Sequence, residues 1–145
     1  MSDETIKVGA GVVIIKDGKT LLAKRKGAHA AGCYGSLGGH VEFGESPVEC
    51  VKREALEELG IEIGNIRFVS CVNMVKYGKH YVDLSFVAEI LDGEPRIMEP
   101  ERIECIGWFP VDDLPEPLFE PVRAVFEALK SGMAYSEATE SEKSV

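Results

Sequence analysis

The sequence predicts an α/β (α+β) fold, and three observations carry that prediction. Apolar runs rich in β-branched residues alternate with two stretches of helical spacing, turn signals join successive runs, and no internal repeat intervenes. A chain of 145 residues suits one domain, and 45% hydrophobic with 28% charged residues is enough for a packed core. We place that domain at residues 1–131 and read 132–145, rich in Ser, Glu and Ala, as a mobile acidic tail.

The elements follow in order. Ile6 to Ile15 is a strand run, Asp17-Gly18 a two-residue hairpin turn, and Thr20 to Ala23 the returning strand. Gly27 to Gly35, with His29, Cys33 and Tyr34, reads as a loop of small residues, and Gly38 to Gly44 leads into a helix. That helix is well marked: Ser46 can cap it, Pro47 fills the first turn, Glu49 completes a capping box, and Gly60 stops it after Leu59. Ile61 to Val75 and His80 to Leu91 are long strand runs joined at Tyr77-Gly78-Lys79, and a polar stretch then runs to Arg102. Ile103 to Phe109 is a short strand with Trp108 expected in the core, and Val122 to Leu129 has helical apolar spacing.

Charge narrows the function. A net charge of −9 disfavours a nucleic-acid polymer, whose binding runs on Lys and Arg, and an anionic membrane surface. The apolar run Val8 to Ile15 is far short of the ~20 residues of a membrane helix, and Asp3 and Glu4 ahead of Lys7 do not resemble a secretory leader. Cys33, Cys50, Cys71 and Cys105 show neither zinc-site nor disulfide spacing and read as buried free thiols in a reducing, cytoplasmic setting.

The negative charge is concentrated. Between Glu42 and Glu62, seven glutamates face only Lys52 and Arg53, a local charge of −5. On the helix, Glu54, Glu57 and Glu58 lie three and four residues apart and share a face, beside an apolar stripe of Val48, Val51, Ala55 and Leu59. A solvated acidic face and a site for a hard divalent cation both fit this spacing.

Gly39, Glu45, Arg53-Glu54, Glu57-Glu58, Gly60 and Ile61 resemble the Nudix box, G-x5-E-x7-R-E-U-x-E-E-x-G-U, with U a bulky aliphatic residue. Ala55 replaces one bulky residue, and Ser36-Leu37 stands where members commonly carry Leu-Pro. Lys24-Arg25-Lys26, Gly93-Glu94-Pro95, Met98 to Glu101, Gly107 to Phe109 and Leu114 to Phe119 are similar to the MutT-type branch, so the resemblance covers about residues 5 to 130. It implies a Nudix fold, an α/β/α sandwich around a mixed β-sheet, and Mg²⁺-dependent (or Mn²⁺-dependent) hydrolysis of a nucleoside triphosphate, such as the oxidised purine 8-oxo-dGTP, to monophosphate and pyrophosphate. Dinucleoside polyphosphate, ADP-ribose and isoprenyl diphosphate stand as alternative substrates, and a regulator that binds without catalysis as an alternative function; the complete carboxylate set argues against the last.

By the same resemblance Glu54, Glu57, Glu58 and the Gly38 carbonyl hold the metal, with Glu99 reaching it from a loop where Glu101 competes. Glu54 is the favoured base, Arg53 orients a carboxylate, and Glu45 supports a ligand or the loop. Lys24 and Arg25 are candidate phosphate contacts, and Tyr34 and Phe119 candidates to stack a base; His40 is left out of the metal set. The partner expected is a small nucleotide or diphosphate, and a homodimer is in keeping with many small relatives.

Overall fold

The computed structural model describes residues 4–27 and 30–140. Asp3, His29 and the last five residues of the acidic tail lie outside the described residues. The strands are β1 (Lys7–Lys16), β2 (Lys19–Arg25), β3 (Tyr34–Gly35), β4 (Leu37–His40), β5 (Glu62–Lys76), β6 (Lys79–Asp92), β7 (Ile103–Pro110) and β8 (Tyr135–Thr139). Two helices, α1 (Pro47–Leu59) and α2 (Glu120–Ser131), join them.

One mixed sheet runs β3-β2-β1-β6-β5-β8, with β4 on β1 and β7 on β2. β1 and β6 are parallel, and their neighbours β2 and β5 return antiparallel through the Asp17-Gly18 and Tyr77-Gly78 turns. Alternation along β1 divides the core between the two faces of the sheet. Ala10, Val12 and Ile14 pack with Val51, Ala55 and Leu59 of α1, whereas Val13 packs with Val122 and Val125 of α2. The result is the expected sandwich of helix, mixed sheet and helix. No helix among the described residues is long and apolar enough to cross a membrane.

Five expectations change. The segment read as a mobile tail contains β8, which pairs in parallel with Cys71 to Val75 of β5. Main-chain bonds at its two ends, Cys71 N–H to Ala134 and Glu140 N–H to Val75, help hold it, and its side chains stay largely exposed, so hydrophobic patterning carries no trace of it. The loop read at Gly27 to Gly35 ends in β3, and the stretch read as leading into the helix begins within β4; glycine is a poor strand former, yet Gly38 and Gly39 pair with Gly11 and Ala10 of β1. Trp108, expected in the core, is 38% exposed, because it sits on the outer strand β7. On α1 the buried stripe runs through Cys50, Val51, Glu54, Ala55, Glu58 and Leu59, and Val48 faces outward. Of the four cysteines only Cys50 is buried, Cys105 being exposed and the other two half-buried.

Candidate active site

The position of α1 is fixed at both ends. Ser46 Oγ accepts from Glu49 N–H at 3.0 Å while Glu49 Oε1 accepts from Ser46 N–H at 2.8 Å, the reciprocal box the sequence predicts. At the other end Gly60 takes φ 67°, ψ 29°, a left-handed stop that favours glycine. The chain then returns over this end: Arg96 and Met98 N–H groups donate to the Leu59 and Glu58 carbonyls at 3.1 and 3.0 Å. The polar stretch after β6 is thus pinned to the helix, which brings Glu99 to the site.

Two of the three clustered glutamates turn inward. Glu54 and Glu58, one turn apart, are each 8% exposed. Glu58 Oε1 accepts from Gly38 N–H at 3.1 Å. Glu54 lies so close to Gly39 that a Cβ there would stand 2.3 Å from its Oε2. Burial raises the pKa of Glu58 to about 8, with the charge of Glu54 adding to the rise and Arg25 opposing it. Burial also raises Glu54, against the pull of Arg53. Glu57 instead stays half in water, its side chain 49% exposed. The even convergence expected of all three carboxylates therefore becomes an inward pair and an outward flank, because only residues 54 and 58 fall on the sheet-facing stripe.

Arg53 ties the set together. Its Nε and Nη2 grip Glu45 at 2.7 and 3.1 Å, and Nη1 donates to Glu54 at 3.1 Å and Glu57 at 3.3 Å. This fork holds the Glu45 carboxyl at about 2, well below the usual carboxylate range. Arg53 Nη2 also reaches the His40 carbonyl at 3.3 Å, joining the helix to β4.

Glu99 Oε1 is buried without a hydrogen-bond partner, the Arg102 guanidinium standing 3.7 Å away, and its charge adds to the rise at Glu58. Glu101 is exposed. No three His, Cys, Asp or Glu side chains among the described residues already form a closed ligand cage. The donor set nonetheless fits a hard divalent cation: the charges of Glu54 and Glu99 add to the raised pKa of the buried Glu58, an orphaned oxygen of Glu99 lies beside them, and all donors are oxygens.

A cleft of about 650 Å³ opens from Glu54 and the Gly38-Gly39 strand toward β6, with Arg25 and Phe119 in its wall. The Arg25 guanidinium lies over the Phe119 ring, 5.1 Å from its centroid. A second hollow of about 580 Å³, beside Leu56 and Leu91, contains none of Glu54, Glu57 and Glu58. Lys24 and Tyr34, expected at the substrate, are placed outside the cleft lining. Neighbouring strand residues point to opposite faces, so Lys24 reaches Glu104 at 3.8 Å while Arg25 enters the cleft. Tyr34 packs its edge on Phe109 with centroids 5.4 Å apart. His40 shares a hydrogen bond with Tyr81 through Nε2.

Sequence reasoning missed Tyr81 and Asp83, which also line the cleft. A signal was present: Tyr81, Asp83 and Ser85 alternate on the inward face of an otherwise apolar strand, where a charged residue is out of place.

A family model described as NUDIX domain matches residues 5–129. The chain is 40% identical over 106 residues to the NAD-capped RNA hydrolase NudC of Chromobacterium violaceum, covering 73% of this chain and 39% of that protein. It therefore spans about two fifths of that relative's length. The crystal structure of a MutT NUDIX hydrolase from Burkholderia pseudomallei superposes with a TM-score of 0.82 at 42% identity, covering 86% of this chain and 98% of that one. A MutT protein from Methanosarcina mazei Go1 shares the fold at 22% identity, with a TM-score of 0.76 over 91% of this chain and 98% of its own.

Proposed function

This chain belongs to the Nudix hydrolases, which cleave pyrophosphate bonds with divalent metal ions, and we propose that it hydrolyses the phosphoanhydride of a small nucleotide using Mg²⁺ or Mn²⁺. The observation that carries the reading is the buried Glu54–Glu58 pair wedged against Gly38 and Gly39, with Glu54 lining a cleft walled by Arg25. Glu54, Glu58, Glu99, the Gly38 carbonyl and, from the exposed flank, Glu57 are the oxygens that would hold the metal. Once bound, the ion neutralises phosphate charge and lowers the pKa of water.

The chain's own groups do the rest. Arg53 holds Glu54 and Glu57 in fixed rotamers through one guanidinium edge, anchored by Glu45 on the other. Glu54 lines the cleft, and burial raises its pKa, which suits it to take a proton from water. Arg25 offers positive charge to a phosphate that the metal does not meet. A nucleoside triphosphate, 8-oxo-dGTP included, giving monophosphate and pyrophosphate is the reading that the 42% identity to a MutT hydrolase supports. The NudC relatives favour a second reading, a dinucleotide diphosphate such as NAD; the net charge of −9 speaks against a long RNA attached to it.

The test is a panel of nucleoside triphosphates, NAD, ADP-ribose, dinucleoside polyphosphates and isoprenyl diphosphates, with Mg²⁺ or Mn²⁺ and product identification. Release of pyrophosphate or monophosphate, abolished by chelator and strongly reduced in Glu57→Gln, is expected. No cleavage anywhere in the panel overturns the proposal.

A further inference from the structure

We propose that Asp83 is the specificity-determining residue of the cleft, accepting two N–H donors from a base with the amino-lactam edge of guanine. The inference rests on the nucleotide-hydrolase reading above and adds to it the class of base.

Asp83 is 9% exposed, on β6, and lines the cleft. Among the described residues no hydrogen bond or ion pair reaches its carboxylate, and Arg25 is the one charge that acts on it. A buried carboxyl without partners destabilises a fold, so such a group in a cleft points to a ligand that completes it. Burial holds its pKa up at about 7, close enough to neutrality for incoming donors to fix the ionised form.

The backbone around it has been cleared. Asp83 lies opposite Gly9 and Ser85 opposite Gly11, so one sheet face presents two glycines beside the carboxylate. A Cβ at Gly9 would stand 2.9 Å from Asp83 Oδ2. The missing side chain at Gly9 makes room for the Asp83 carboxylate itself, which packs over that backbone, while Ser36 Oγ covers Gly11, 3.2 Å from where a Cβ would stand. Tyr81, on the same face, is engaged with His40, so the carboxylate is the acceptor left open at this end.

Two adjacent oxygens call for two adjacent donors. Guanine has them in N1–H and the 2-amino group, and oxidation at C8 leaves that edge unchanged. Adenine and cytosine each set one amino donor beside a ring nitrogen whose lone pair would face the second oxygen. Uracil sets one N–H between two carbonyls.

The experiment measures equilibrium binding of GMP, IMP and AMP, none of which contains a phosphoanhydride. Wild type is expected to bind GMP about tenfold or more tighter than IMP, which lacks the amino group, and AMP more weakly than GMP. Asp83→Ser should erase the GMP–IMP difference. Asp83→Asn, which presents one donor and one acceptor, should move the preference toward AMP. A merely structural Asp83 would not produce that exchange. Thermal melts establish that both variants are folded, and removal of an unpaired buried carboxylate is expected to leave them no less stable than wild type. Equal binding of the three nucleotides by wild type, or an unchanged GMP:AMP ratio in both variants, overturns the assignment. If the wild type cleaves phosphoanhydrides without preferring guanine, the role of Asp83 falls and the hydrolase reading stands; a guanine preference in a protein that cleaves nothing gives the reverse.

Discussion

Replacing Glu58 by glutamine should make the metal-free protein more stable while removing its metal affinity. Glutamine keeps the shape and can still accept from Gly38 N–H through its amide oxygen. What it loses is a carboxyl whose pKa rises from 4.5 to about 8 on folding. Between those values the folded state binds more protons than the unfolded one, so this group's contribution to stability falls as pH rises through that window and levels off above 8. At about 1.4 kcal/mol per unit, the cost at pH 7 has a ceiling of about 3 kcal/mol. Relief of about 2–3 kcal/mol in a chain of this size corresponds to about 5–10 °C in melting temperature. The assay is urea or thermal unfolding of both proteins in chelator from pH 4 to 8.5, repeated with excess Mg²⁺. The gain should vanish near pH 4, where the carboxyl is protonated folded or unfolded. Saturating metal should restore the wild type by about 3 kcal/mol at a hundred times its dissociation constant and leave the variant unmoved. A variant no more stable than wild type at pH 8 in chelator, or a gain that persists unchanged at pH 4, refutes the reasoning.

Three further variants have expected outcomes. Gly38→Ala puts a Cβ 2.3 Å from the Ala10 carbonyl oxygen and 2.7 Å from Gly11 Cα, so two backbones must part; a loss of about 2 kcal/mol in urea unfolding is expected, with hydrolysis lost as well. Gly39→Ala meets the Glu54 carboxylate that Arg53 holds rather than a second backbone, and should lower turnover by displacing it, with a smaller stability loss. Arg53→Met removes the fork from Glu54 and Glu57 and should cut turnover about 10- to 100-fold. It also frees Glu45, whose depressed pKa of about 2 gives stability that is complete above about 4.5 and lost as pH falls toward 2. The stability gap between wild type and Arg53→Met should therefore narrow across that window, and a gap constant from pH 7 to 2.5 contradicts the role given to the pair.

Much of this molecule was legible in its sequence because the relevant forces are local. Ser46, Pro47, Glu49 and Gly60 mark the two ends of α1 through contacts within a few residues, and the reading of Pro47–Leu59 matches the structure. That Arg53 orients a carboxylate was expected from the family resemblance, whereas its grip on Glu45, eight residues back and outside the helix, was not. What escaped depends on pairing across the sheet. β4 is half glycine and β8 is almost wholly exposed, so neither leaves a hydrophobic pattern; both exist because a partner strand offers its main chain. The burial of Glu54 and Glu58 required knowing which face of α1 meets β1 and β4. Lys24 and Arg25 show the limit most simply: one residue of register sends one cation into the cleft and the other toward Glu104.

Residue 58 joins two parts of the molecule that are far apart in sequence. Its carboxylate faces the Gly38 strand, and its carbonyl receives the Met98 amide next to Glu99. A pull on the side chain is thereby transmitted through a single peptide unit to the stretch that carries the remaining acid. Site and loop behave as one mechanical unit, and the slow exchange of one amide hydrogen, at Met98, becomes a gauge of how firmly the whole cluster is held.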